Sequence, residues 1–373
     1  MDILVFDRNL NLIGNIDTYE TFEFNRKFQK VGEFQFYVSA NKENMEFLKK
    51  DNIIYKNNGY EEEAGIIEVV EREMDKTYEI FRVAGNLSSS YLARRISLKQ
   101  IIFNGKIEEL IYKMIDENAI TPEDVRRILP DLRRANLKGF SETIDYEKSY
   151  GNLIDEMEKI LERTEIGFRT VFNPIEKHFT FELYKGVDRT VNQSDRAPCI
   201  FSNEFENIYN EHYILDKREY KNTALVAGQG EGIERKKVLI NDTNKGIDRY
   251  ELFVDARNIP DKKFDDSGTG SETLIPIEQY MKLLEDRGKL KLSDHTIIEN
   301  FECDTNALGN NKYKIDYDLG DKITIFSNKW NMQIDAIITE IDEIYENGNL
   351  EVKVGLGTPK QTLANEIKRL RKE

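Results

Sequence analysis

Two runs, Thr18-Tyr19-Glu20-Thr21-Phe22-Glu23-Phe24 and, past Val31-Gly32, Glu33-Phe34-Gln35-Phe36-Tyr37-Val38, decide how this 373-residue chain reads. In the second, Phe34, Phe36 and Val38 alternate with Glu33, Gln35 and Tyr37, the period of a strand with one buried face. In the first, Tyr19, Phe22 and Phe24 keep that period with one slip, which predicts a bulged strand, and Val31-Gly32 reads as the turn. Outward from there, Ile3 to Phe6, Asn52 to Tyr55, Ala64 to Glu71 and Tyr78 to Ala84 carry the same signal between clusters of Asn, Gly, Asp or Lys. Short strands at this spacing predict a barrel or sandwich.

The texture changes near Ser97. Ile107, Leu110, Ile111, Met114 and Ile115 form a helical stripe with Asn104 as its expected cap, and Thr121-Pro122 predicts a second helix carrying Val125, Ile128 and Leu129. Leu153, Ile154, Met157, Ile160 and Leu161 form a third stripe that Gly167 is expected to end. Two alternating runs, Gly167 to Phe172 and His178 to Leu183, follow it, so this segment reads as α/β. After Pro198 the strand period returns in Glu211 to Lys217, Ala224 to Ala227, Ile297 to Cys303, Asp321 to Phe326, Ile334 to Ile344 and Leu350 to Val354. One helix interrupts it, with Ile277, Tyr280, Met281 and Leu284 on a face, Gly288 at its exit and a loop over 265–271 before it. The C-terminal run Thr358-Pro359-Lys360-Gln361 matches a capping box, and Leu363, Ile367 and Leu370 line one face beyond it. A helix of about 14 residues is marginal alone in water, so this stripe must dock on the chain itself or on a partner.

Composition limits the functional classes. With 54 basic against 69 acidic residues the net charge is −15, which disfavours general nucleic-acid binding. At 39% hydrophobic residues the chain is too apolar for disorder, and no run approaches the roughly 18 apolar residues of a membrane span, so no membrane anchoring is expected. Cys199 and Cys303 read as structural thiols, and no cofactor is implied. The three histidines, His178, His212 and His295, lack ligand spacing. Gly228-Gln229-Gly230-Glu231-Gly232 lacks the Lys-Ser/Thr of a phosphate loop and precedes another strand, so it reads as a hairpin loop. Asp316, Asp318 and Asp321 offer oxygens to a cation such as calcium but miss the spacing of a calcium loop, and an inter-strand turn is the simpler reading. The doublets Arg94-Arg95, Arg126-Arg127 and Arg133-Arg134 read as a solvated face or salt bridges.

Several segments resemble the hub proteins of bacteriophage tails and related contractile injection particles. Phe24-Asn25-Arg26-Lys27-Phe28 through Gly32 to Val38 resembles that family's first strand pair, and Ala64-Gly65-Ile66-Ile67-Glu68 one of its barrel strands. Val83-Ala84-Gly85-Asn86-Leu87 with Leu92-Ala93-Arg94-Arg95-Ile96 is similar to the barrel exit, while Tyr317 to Ile323 and Ala336 to Ile341 are similar to the closing strands of a second barrel. The resemblance spans nearly the whole chain. It implies an α+β fold: a first tail-tube-type antiparallel β-barrel over 1–95, an α/β domain over 96–200, a second barrel over 201–357 with a loop and helix insertion around 258–295, and a docking helix over 358–373.

The function implied is a non-enzymatic structural hub, a homotrimer joining the sixfold tail tube protein to a threefold spike or tip protein and contacting other baseplate proteins. DNA would be only a passing cargo, repelled by acidic charge if that charge faces the channel. The protein would reside in a virion tail or phage-like particle assembled in the bacterial host cytoplasm. The stripe Leu363, Ile367 and Leu370 is the expected partner-binding element, bundling on the threefold axis or binding the tip protein. Relatives that continue into lytic C-terminal regions differ from this sequence, which stops at Glu373, so lytic activity is expected in another protein. Two alternatives stand beside this reading. A tail-tip peptidoglycan hydrolase needs a carboxylate of raised pKa in a saccharide-sized groove, and a host-surface carbohydrate-binding module needs an exposed aromatic such as Trp330.

Overall fold

A computed structural model of the protein describes residues 1–60, 62–74, 79–162, 164–264, 272–306 and 309–357. Two compact units divide the chain, and the second, Ile214–Glu299, is inserted into the first. The chain begins with β1 (Asp2–Phe6), β2 (Leu12–Ile16), β3 (Thr21–Lys27), β4 (Glu33–Tyr37), a short helix α1 (Lys42–Phe47), β5 (Ile53–Asn57), β6 (Gly65–Met74) and β7 (Glu79–Leu87). Alternation is clean in β3 and β4: Phe22, Phe24 and Arg26 on one, Phe34 and Phe36 on the other, are buried. The slip expected near Tyr19 is absent from β3, which starts only at Thr21; the irregularities fall instead between Val5 and Phe6 and between Ile67 and Val69.

The next segment carries β8 (Ile96–Lys106), α2 (Ile107–Ile115), β9 (Leu132–Arg134), β10 (Thr143–Asn152), α3 (Leu153–Leu161), β11 (Gly167–Asn173) and β12 (His178–Tyr184). Three local expectations are corrected. Asn104 does not cap α2, because β8 stays paired with β10 as far as Lys106 and the Ile107 N–H donates to the Glu142 carbonyl. The helix expected from Thr121 is reduced to one turn over Val125–Arg127, since Pro130 bars the residue before it from the helical region. Gly167 opens β11 rather than ending α3, whose first turn is capped by Asn152. The stripes of α2 and α3 pack with Phe168, Phe172 and Phe181 of the β11–β12 hairpin and with Phe6 and Tyr55 of the N-terminal strands. Phe6 and Phe172 meet edge to face at 5.1 Å.

After β13 (Ile200–Phe201) and β14 (Ile208–Asp216) comes the second unit, with β15 (Thr223–Ala227), β16 (Lys237–Ile240), β17 (Glu251–Asp255), β18 (Lys262–Phe264), β19 (Glu272–Leu274) and α4 (Ile277–Ser293). Strands β15, β16 and β17 form a sheet covered on one face by Tyr280 and Leu284 of α4. Gly288 does not terminate α4. A Cβ there would lie 2.5 Å from Val226 Cγ2 and 2.7 Å from Ile240 Cγ1, so the glycine lets the helix lie close on the sheet.

The chain returns through β20 (Ile298–Thr305), β21 (Lys322–Ser327), β22 (Met332–Glu346) and β23 (Asn349–Gly357). The main sheet has thirteen strands along the order β14-β20-β23-β22-β3-β4-β7-β6-β5-β1-β2, with β21 joining β22 and β13 joining β21. The path is open, and among the described residues its end strands β2 and β14 do not pair with each other. Its pivot is the antiparallel pair β3–β22, which aligns Lys27 with Glu340 and Thr21 with Glu346 and so welds the N-terminal strands to the C-terminal ones. Phe28, at the end of this pivot, is held between Gly167 and Gly320, where a Cβ would sit 2.2 and 2.5 Å from its ring.

Candidate functional site

Chemistry in this molecule gathers where strands distant in sequence meet at the pivot. A strand with one face inward places every second residue in the core. In three strands that rule carries a charged residue inward: Arg26 after Phe22 and Phe24, Lys56 after Ile54, and Glu343 after Ile341. Lys56 Nζ, fully buried, lies 2.5 Å from Glu62 Oε2 and 2.6 Å from Glu343 Oε2, and stands 4.0 Å above the Phe24 ring. Lys314 Nζ reaches Glu62 Oε1 at 2.9 Å, and Arg26 donates to Asp318 at 2.6 Å and to the Tyr313 hydroxyl at 2.7 Å. The hydroxyls of Tyr313 and Tyr345 each donate to Glu343 at 2.7 Å.

Arg26, Lys56 and Lys314 thus face Glu62, Asp318 and Glu343, equal numbers of each sign. Burial raises the Glu62 carboxyl, yet Lys56, Lys314 and Arg26 outweigh it and bring it down to about 2. Burial likewise opposes ionisation of Asp318, and Arg26 and Lys314 hold it below its ordinary value. Burial and the nearby Glu343 carboxylate push Tyr345 up, and burial also dominates the rise of Tyr313. Carboxylates fixed in the ionised form by flanking cations are poor proton donors near neutrality. The arrangement is a clasp that joins N-terminal strands to C-terminal ones, and within it burial and the nearby Arg26 lower the Lys314 ammonium from its ordinary value.

The sequence candidates fall as follows. Leu363, Ile367 and Leu370, with the capping box at Thr358, lie outside the described residues. The oxygens of Asp316, Asp318 and Asp321 serve protein donors: Asp316 accepts the Lys312 N–H, Asp318 accepts Arg26 and the Leu319 N–H, and Asp321 accepts Arg189 and the Val187 N–H. Among the described residues no group of three His, Cys, Asp or Glu side chains is placed to hold a metal ion. Gly228 to Gly232 joins the antiparallel strands β15 and β16, the expected hairpin. Trp330 is exposed, as the carbohydrate-binding alternative requires, and sits edge-on to Phe301 at 6.3 Å. Both cysteines are buried, and burial pushes the Cys199 thiol to about 12 and Cys303 higher still. Of the arginine doublets, Arg94 pairs with Asp51, Arg126 with Asp124 and Arg134 with Asp116.

Carboxyls raised by burial exist, and each serves its own surroundings. Glu63 accepts from Ser89 and the Thr170 N–H, Glu158 from the Val31 N–H, and Asp342 from Asn25. Glu108, at the start of α2, accepts the backbone N–H groups of Lys138, Gly139 and Phe140 and ties down that loop. No described helix is long and apolar enough to cross a membrane.

With this architecture in view, comparison with known proteins places the chain. Residues 2–358 match the model of the Siphovirus ReqiPepy6 Gp37-like protein family, and the chain belongs to that family. The fold is shared with the 43 kDa tail protein of prophage MuSo2 from Shewanella oneidensis, at TM-score 0.59 and 10% identity over 95% of this chain and 98% of that one. It is shared as well with prophage tail protein gp18 from Listeria monocytogenes, at TM-score 0.55 and 12% identity over 100% and 99% of the two chains. A tail protein from Neisseria meningitidis matches at TM-score 0.54 and 10% identity over 98% of each chain. No curated protein matches the sequence.

Proposed function

We propose that this protein is the structural hub of a phage or phage-like tail baseplate, a homotrimer that joins the sixfold tail tube to a threefold spike or tip. In this reading residues 1–95 and 201–357 form two tail-tube-type β domains flanking an α/β domain over 96–200. Three copies then present six such domains to the tube. The observation that carries it is the β3–β22 pivot: one chain sets an N-terminal and a C-terminal strand group side by side in a single sheet. Each group keeps its own apolar core, one around Phe22, Phe24 and Phe36 and the other around Phe201, Ile325 and Val354. Two such bodies per chain convert threefold into sixfold geometry.

Tail tube protein, spike or tip protein and other baseplate proteins are the partners of this hub. DNA is a passing cargo, and part of the −15 charge per chain faces it. Residues 358–373 act as the subunit's docking element. Native mass spectrometry of the purified protein, followed by electron microscopy of the assembled tail tip, tests the reading. Three copies at the tube's end support it; one or six copies, or a place on a side fibre, overturn it. Zymography on peptidoglycan should give no clearing.

A further inference from the structure

In the first two arginine doublets one member finds a carboxylate, and Arg95 and Arg127 are left over. Together these two staple the Val125–Arg127 turn to the start of β8. Arg95 Nε donates to the Arg127 carbonyl at 2.6 Å, and its terminal nitrogens donate to the carbonyls of Arg94 and Ile128. Arg127 donates to the Ile96 carbonyl and, at 3.4 Å, to Asn118 Oδ1. Carbonyls satisfy these donors without cancelling their charge. The acids nearest in the chain are already engaged, Asp124 with Arg126 through both carboxylate oxygens and Glu123 with Lys99. Among the described residues neither Arg95 nor Arg127 has an acidic partner. Burial and the neighbouring Arg127 and Arg94 charges lower Arg95 from its ordinary value, as crowded cations should.

Apolar side chains flank the pair. The staple brings the turn carrying Val125 and Ile128 against Ile96, and Leu98 follows Ile96 on the same face of β8. These four residues are between 41 and 72% exposed. Exposed aliphatic side chains around uncompensated arginines have the composition of a protein contact rather than of a solvated face.

Charge indicates the occupant. At −15 per chain, copies of this protein repel one another except where cations stand without acids, and 69 acidic residues give each copy carboxylates to offer there. Copies in a ring meet through two different patches, one on each neighbour, and a cationic patch against a carboxylate-bearing one meets that requirement.

We propose that the Arg95–Arg127 patch is one side of the contact between neighbouring copies of this chain. The two guanidiniums take carboxylates of the next copy, and Ile96, Leu98, Val125 and Ile128 pack around them. The proposal rests on the ring of copies read above, but it is tested by association in solution, whereas the hub reading is tested by copy number at the tube's end.

Sedimentation velocity on the intact protein, over a range of protein and salt concentrations, compares wild type with Arg95→Gln/Arg127→Gln and with Val125→Glu. Val125 is largely exposed, so Val125→Glu leaves the fold and both arginines in place, and its thermal unfolding should match wild type. Wild type should self-associate, more weakly as salt rises, and either variant should raise the dissociation constant at least about tenfold. A wild type that stays monomeric at every concentration overturns the proposal, as does association that either variant leaves unchanged. Duplex DNA that binds wild type but not the double arginine variant, with self-association unaltered, assigns the patch to phosphate and overturns it as well.

Discussion

Replacing Lys56 by Met probes the clasp directly. Methionine fills much of the lysine's volume over the Phe24 ring but leaves Glu62 and Glu343 without the ammonium that lies 2.5 and 2.6 Å from them. Removing one partner of a buried pair leaves an uncompensated charge and costs about 3–5 kcal/mol. Glu62 keeps Lys314, and Glu343 keeps the hydroxyls of Tyr313 and Tyr345, which places the expected loss near the lower end, about 3 kcal/mol. For a domain of this size each kcal/mol moves the midpoint by roughly 2–4 °C, so the thermal midpoint should fall by roughly 6–12 °C.

Adding Glu343→Gln restores equal numbers of charges while keeping an acceptor for both tyrosines. The double variant should therefore be more stable than the sum of the single losses by about 1 kcal/mol or more. Guanidinium unfolding at neutral pH, followed by circular dichroism and by calorimetry, reads both numbers. A Lys56→Met protein within about 1 kcal/mol of wild type, or strict additivity in the cycle, would refute the clasp as a coupled unit.

Acid should act on the same groups. Glu62 titrates near 2 when folded and at about 4.3 when unfolded, so its contribution is complete above about pH 4.5 and lost as the pH falls toward 2. A wild-type stability profile without a decline in that window would contradict the assignment. Gly288→Ala should destabilise the second unit by about 1–3 kcal/mol although alanine is the better helix former, because the new methyl meets Val226 and Ile240; exchange rates over 214–299 read the loss. Cys199 and Cys303 should resist a thiol reagent in the native protein and both react on unfolding, since burial keeps them protonated; fast labelling of either in native protein would be the contrary result.

Much of the sheet was legible because its strands obey a simple alternation. Phe34 and Phe36, Ile323 and Ile325, and the two runs around Asn173-Pro174 sit in strands as expected. The β8–β10 ribbon was not, because a two-stranded element with Leu98 and Ile102 on its exposed face lacks a consistent apolar side. Gly288 misled for a different reason: packing against the sheet outweighs the helix-ending tendency of glycine. The clasp escaped because its two groups, Arg26, Lys56 and Glu62 on one side and Lys314, Asp318 and Glu343 on the other, lie far apart in the chain, as in Lys56–Glu343 with a separation of 287, and each residue reads alone as an ordinary surface charge. A usable signal was nonetheless present, a charged residue continuing the inward period after apolar ones, in Phe22-x-Phe24-x-Arg26, Ile54-x-Lys56 and Ile341-x-Glu343. Hub assembly leaves no such trace in one chain, since symmetry is a property of copies.

Electron microscopy of the assembled tail tip, at a resolution that traces this chain, bears most directly on the hub reading. Three copies in one ring are predicted, each setting its 1–95 and 201–357 segments as neighbouring wall elements beneath the tube. A ring of six copies with one wall element each, or a single copy remote from the tube, would contradict it.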